Sequence, residues 1–222
     1  MAYKCEYCNK SFVRESTLAS HTCERKRRYL QEKDQDVQIG FRAYQLFYRI
    51  GTNSKKEKDY HHFAKSQYYT SFVRFGKYIV DLKIDDAEGY VRWLLKKSVK
   101  LDKWTSDQNF AKWNKDRLKR ESVDRAVERT VIFMIEWAMP IDKNWTDYWT
   151  DASTNDIVFH ICAGRISPWV IYSSKAAQRM LDRMNQEQLN FIIEYIDPTY
   201  WQRKMTTHKP DFDWVEGILG DT

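Results

Sequence analysis

Apolar side chains recur at spacings of three and four along most of this chain, the period of an amphipathic helix. Val37, Phe41, Tyr44, Phe47 and Tyr48 share one such face. They predict a single long helix from Glu24 to about Ile50, basic at first and amphipathic later, ended by Gly51-Thr52-Asn53-Ser54. Residues 51–59 (GTNSKKEKD) then read as an exposed polar loop. Helical patterns return over His62–Leu82, Ala87–Val99, Gln108–Lys119 and Glu121–Ala138. The last is the clearest, with Val123, Ala126, Val127, Thr130, Val131, Met134 and Trp137 on one stripe and Pro140 to close it. Ile157 to Ile171 is ambiguous: Val158, His160 and Cys162 alternate with Ile157, Phe159 and Ile161 as in a strand, and a helix fits equally well. Helices follow at Lys175–Asn185 and Gln186–Ile196, and Asp197-Pro198 begins another turn. There is no repeat at solenoid spacing.

Composition agrees with a mainly α body. Seven Gly and four Pro in 222 residues leave little turn chemistry for a multi-stranded sheet. The length suits a small N-terminal module plus one domain with a real core. Nine Trp, all at or after Trp93, and fourteen Tyr supply an aromatic core or a stacking surface, of which core is the better expectation. Charge changes the picture more. Residues 1–58 carry 13 Lys/Arg against 7 Asp/Glu, whereas residues 59–222 carry 24 of each. The whole net charge of +6 therefore sits in the N-terminal quarter, and polyanions are its natural partners.

Four cysteines in a chain this long make no disulfide framework. Three of them, Cys5, Cys8 and Cys23, gather with His21, while Cys162 stands apart. Two thiols two residues apart, followed by an imidazole, are what a tetrahedral zinc site takes from a short segment without a core. Cys23 is the one nearby fourth ligand, two residues beyond His21. On an unbroken helix those two would point about 200° apart, so the helix must unwind near Thr22 for both to reach one ion. No general base sits beside the four, which favours a closed structural zinc over a catalytic one. Reduced thiols imply a cytosolic compartment. The longest apolar run, Thr130 to Ile141, is interrupted by Glu136 and Pro140, so neither a membrane span nor a secretion signal is expected.

Cys5, Cys8, Phe12, Leu18 and His21, in that spacing, closely resemble the Cys₂His₂ zinc-finger family over about 21 of the 222 residues. The departure is the fourth ligand, Cys where the family has His. The resemblance implies a small ββα-like finger at 1–24; charge and helical patterning then set out a basic helix and linker at 25–58 and a mostly helical domain at 59–222. It also implies that Arg14, Thr17 and Ser20 face bases, with Arg14 suited to a guanine edge. Arg25, Lys26, Arg27 and Arg28 would add phosphate contacts that a single finger lacks. The whole chain is also similar to helix-rich proteins of large tailed bacteriophages, which would place it in host cytoplasm.

The body carries weaker signals. His61-His62 starts a helical pattern, where adjacent imidazoles diverge too far to share a metal. His160 and Cys162 would share a face on a strand and could pair there. Ala163-Gly164-Arg165-Ile166-Ser167-Pro168-Trp169 is the least generic stretch: His160, Arg165 and Trp169 could clamp a phosphate and stack a base. The opposing expectation makes Trp169 core and Arg165 a partner for a helix C-terminus or a carboxylate. The acidic clusters at 81–88 and 142–151 match no nuclease or phosphoryl-transfer motif, and there is no phosphate loop or dinucleotide fingerprint. The favoured reading is a zinc-finger DNA-binding protein whose helical body regulates or recruits; the residues do not separate DNA from RNA. The alternatives are an enzyme acting on nucleic acid, addressed by the finger, and an adaptor docking on a polymerase or host protein.

Overall fold

The computed structural model describes residues 2–51 and 57–219. Among them the chain is helical apart from one ribbon, β1 (Tyr3–Lys4) and β2 (Ser11–Phe12), antiparallel with Tyr3 opposite Phe12. It divides into two units, residues 1–109 and 110–222, each built around its own aromatic-rich core.

The first unit continues with α1 (Glu15–Ala19), α2 (Glu24–Leu30), α3 (Gln35–Leu46), a π-helical turn (Phe47–Gly51), α4 (Tyr60–Lys65), α5 (Tyr69–Asp81) and α6 (Ala87–Lys96). The long helix expected over 24–50 is broken. Gln31-Glu32-Lys33 form a turn, and Asp34, with φ −66° and ψ 138°, restarts the chain as α3. Those residues offer no apolar side chain to hold a continuous helix to the body, whereas the segments on either side each dock separately. The helix expected over 62–82 is likewise two. It begins earlier, where the Asp59 carboxylate accepts from the His62 N–H (2.8 Å), and breaks at Ser66, whose extended backbone ends α4. Of the polar loop expected at 51–59, residues 52–56 lie outside the described residues.

Packing of α3 on α5 needs two glycines. A Cβ on Gly40 would sit 2.6 Å from the Phe72 carbonyl oxygen, and one on Gly76 would sit 1.9 Å from that of Asp36. The helix backbones therefore touch, as larger side chains would forbid. Around this contact Tyr44, Phe63, Phe72, Phe75, Tyr90 and Trp104 are buried. Many of their rings meet edge-on, the arrangement favoured by the aromatic quadrupole.

The second unit follows α7 (Asp107–Arg120), whose start lies in the first. It holds α8 (Val123–Ala138), α9 (Tyr148–Asp151), α10 (Thr154–Cys162), α11 (Pro168–Ser173), α12 (Lys175–Asp182), α13 (Gln186–Ile196), α14 (Pro198–Thr207) and α15 (Lys209–Leu219). The ambiguous stretch at 157–171 is thus helix, turn and helix rather than strand. Ser153 caps α10 by accepting from the Asp156 N–H (3.1 Å), and Ile157 and Ile161, four apart, are both buried. No helix among the described residues is long and apolar enough to cross a membrane.

Candidate metal centre

The centre is built from a ribbon, a short helix and the start of the next. Cys5 follows β1, its N–H donating to the Lys10 carbonyl (2.9 Å) while its own carbonyl accepts from the Asn9 N–H (2.9 Å). Asn9 makes this tight return in the left-handed region, φ 63°, which Asn tolerates better than most residues. The knuckle brings Cys5 and Cys8 to one side. From the other, α1 ends after Ala19, and residues 21–23 run without helical structure until Cys23, with φ −91° and ψ 163°, starts α2. In extended chain, side chains two apart lie on the same face. That is how His21 and Cys23 converge.

The four ligand atoms of Cys5, Cys8, His21 and Cys23 all lie within 4.8 Å of one another, near enough to hold one metal ion. Cys5 Sγ is 4.0 Å from Cys23 Sγ, and Cys8 Sγ is 3.3 Å from His21 Nε2. Metal–sulfur bonds of about 2.3 Å in a tetrahedron would put two sulfurs about 3.8 Å apart, so the donor set and its spacing fit a closed four-coordinate site. The surroundings favour thiolate at Cys5 and disfavour it at Cys8, where burial and the neighbouring Cys5 and Cys23 sulfurs push the thiol up. Backbone N–H donation from Cys8 leads the influences that hold the Cys5 thiol below its ordinary range, and the Lys26 N–H points at Cys23 Sγ (3.4 Å). Phe12 lies against the His21 ring at 4.7 Å between centroids, packing beneath the site as its spacing suggested.

The basic run after the centre is not uniform. Arg28 is committed to the fold: its guanidinium donates to the carbonyls of Ala64 (2.9 Å) and Ser66 (3.3 Å), stacks on Tyr69 and pairs with Glu24. It is an anchor of α2 on α4, which leaves it unsuited to the phosphate contact expected of it. Lys26 reaches back to the His21 carbonyl (3.3 Å), and Arg25 to that of Tyr7 (3.4 Å). Arg25 and Arg27 are exposed. Of the three base-facing candidates, Arg14 just before α1 and Thr17 on it are exposed, while the Ser20 hydroxyl turns back to the Ser16 carbonyl (3.1 Å). Tyr29, whose hydroxyl meets His61 Nδ1 at 2.5 Å, was not singled out in the sequence. A tyrosine and a histidine 32 positions apart carry no local signal.

The stretch at 160–169 is arranged otherwise than a ligand clamp. On α10, His160 and Cys162 diverge: the His160 ring lies on Phe133, and the Cys162 thiol faces the Phe191 carbonyl (3.7 Å). Arg165 lies over Phe133 as well. Trp169 is 1% exposed and meets Trp201 edge-on, so its face is spent on the core. Gly164, φ 73°, ends α10 with a paired closure: its N–H donates to Ile161 and that of Arg165 to His160, both at 2.9 Å. The cations at this helix end are Arg117 and Arg129, both donating to the Gly164 carbonyl, with Arg129 also paired to Glu121.

No protein-family model, curated protein or solved structure matches this chain, so nothing in those comparisons supports the likeness to phage proteins.

Proposed function

We propose that this is a zinc-dependent nucleic-acid-binding protein, with DNA as the favoured partner and the second unit as a recruitment domain. The observation that carries the reading is the four-ligand cluster closing between α1 and α2; an ion bound there would hold exposed Arg14, Thr17, Arg25 and Arg27 together in one element. Three sulfurs and an imidazole nitrogen are a donor set that suits Zn²⁺. Bound there, zinc would hold the fold of a segment too short for a core of its own. Arg14 can fork onto a guanine edge, and Arg25 and Arg27 can meet phosphates. The test is metal analysis of pure protein together with binding to labelled duplex DNA over a range of salt. One zinc per chain, and affinity that falls with salt and with chelation, is expected. Protein with well under one zinc, or binding indifferent to both, overturns it.

A second reading, a protein–protein adaptor, has its own support. Ile132 and Ile135 on α8 and Met139 just after it fall three and four apart and are exposed, Met139 by 74%, with exposed Ile141 beyond. Such an apolar stripe suits a partner protein. The two readings are compatible: the first unit finds nucleic acid, and this face of the second recruits.

A further inference from the structure

Two hollows in the first unit share Tyr48, and neither touches the metal ligands. One, about 450 Å³, is lined by His61, His62 and Lys65 of α4 and by Tyr68 in the turn that follows. The other, about 680 Å³, has Arg42, Arg49 and Lys58 along its α3 side. Tyr48 and Arg49 belong to the π-helical turn that ends α3, the kind of irregularity that recurs at functional sites.

The chemistry of the two hollows is complementary. Tyr68 is 40% exposed and meets no other ring among the described residues. The exposed part of such a ring can serve as a stacking surface. Arg42 and Arg49 are exposed guanidiniums with no ion-pair partner among the described residues. Lys58 lies over Tyr48 (5.2 Å) with its charge at the rim of the larger hollow. Carboxylates line the same hollow: Glu57 beside Lys58, and around the start of α6 Asp85, Asp86, which accepts from the Gly89 N–H, and Glu88, which pairs with Arg92. On the smaller hollow the Asp59 carboxylate holds His62. Apart from Glu57, the cations lie toward α3 and the carboxylates toward α6, a division that suits a phosphate backbone on one side and base edges that carry amino groups on the other.

We infer that the two hollows, adjoining at Tyr48, act as one groove for single-stranded nucleic acid, with a base stacked on Tyr68 and phosphates held by Arg42, Arg49 and Lys58. The inference rests on the nucleic-acid reading above and narrows it. A duplex buries the faces of its bases against each other, so an open tyrosine beside a cationic track is useful to an unpaired strand alone. DNA and RNA single strands share this chemistry.

The test uses the full-length zinc-loaded protein and three labelled probes of one sequence: single-stranded DNA, single-stranded RNA and duplex DNA. Tyr68→Ala should weaken both single strands about tenfold and leave the duplex unchanged. Tyr68→Trp, which keeps a stacking face, should restore binding and guards against a folding defect. Arg42→Gln with Arg49→Gln should weaken single-strand binding and flatten its logarithmic salt slope by about 1.4. Arg25→Gln with Arg27→Gln is the comparison, touching the finger alone. Single-strand affinity indifferent to Tyr68 and to Arg42 with Arg49 overturns the groove. If the Arg25 and Arg27 changes still weaken the duplex, the proposed function survives that result. A wild-type protein that binds none of the three probes ends both.

Discussion

Gly164 shows how much a single position can decide. Its φ of 73° is a conformation that side chains with a Cβ occupy at a cost of about 1–2 kcal/mol. A Cβ there would also lie 2.0 Å from Asn114 Oδ1 and 2.5 Å from an Arg117 nitrogen, inside the cluster that satisfies the end of α10. Asn114 donates to the Cys162 carbonyl (2.8 Å), so moving it aside strands a buried acceptor. Gly164→Ala should therefore destabilise the protein by about 3 kcal/mol in chemical denaturation, far beyond an ordinary surface change. Arg165→Ala, which leaves the backbone closure of the turn in place, should be milder. A second residue-scale expectation concerns thiols. Burial pushes the Cys162 thiol up to about 11, and the thiolate is the reactive form. With zinc bound, alkylation at neutral pH should be slow at all four cysteines; after chelation Cys5, Cys8 and Cys23 should react quickly and Cys162 still slowly. Raising the pH toward 11 should then speed Cys162, because deprotonation is its limit. Four fast thiols after chelation would contradict that burial.

Elements were legible where their signal is local. The spacing of Cys5, Cys8, His21 and Cys23 announces the ligand cluster, because metal geometry tolerates few spacings, and the resemblance to Cys₂His₂ fingers implied the ribbon and the helix. The need to unwind before Cys23 was legible too, since helical geometry forbids the alternative. The breaks at Gln31–Asp34 and at Ser66–Tyr68 were not: no proline or glycine marks them, and what decides them is how α2, α4 and α5 dock. His160-Ile161-Cys162 resisted for another reason, since a short apolar run satisfies period 2 and period 3.6 alike. In the basic run, Arg25 to Arg28 are equivalent in one dimension, and only the carbonyls of Ala64 and Ser66, 36 and 38 residues away, single out Arg28. That distinction is testable. Arg28→Ala should lower the melting temperature by several degrees, on the order of 1–2 kcal/mol, through unpaired carbonyls and lost stacking on Tyr69. Arg27→Ala should leave stability within about 0.5 kcal/mol and reduce nucleic-acid affinity instead. Equal effects of the two on both measurements would show that the run acts as a uniform charge.

At the scale of the whole molecule, the two units divide the charge as well as the core. Residues 1–109 hold 22 Lys/Arg and 14 Asp/Glu, and residues 110–222 hold 15 and 17. A polyanion is drawn to the first and mildly repelled by the second, and the pull weakens as salt shortens the screening length. A dissection experiment must respect where the cores end. Cutting at 58 would part α3 from α5 and expose the contact at Gly40 and Gly76, so a loss of binding there would report unfolding. Cutting between Asn109 and Phe110 passes through the first turn of α7 and keeps both aromatic clusters whole. Expressed separately with zinc, residues 1–109 should keep the salt-dependent affinity of the full chain within a few-fold. Residues 110–222, with a net charge of opposite sign, should show none at moderate salt. Titration of each fragment against the same probe, with circular dichroism to confirm helix, checks this directly. Binding by the second fragment equal to that of the full chain would move the interface out of the finger and its groove. It would require contacts that the charge distribution disfavours.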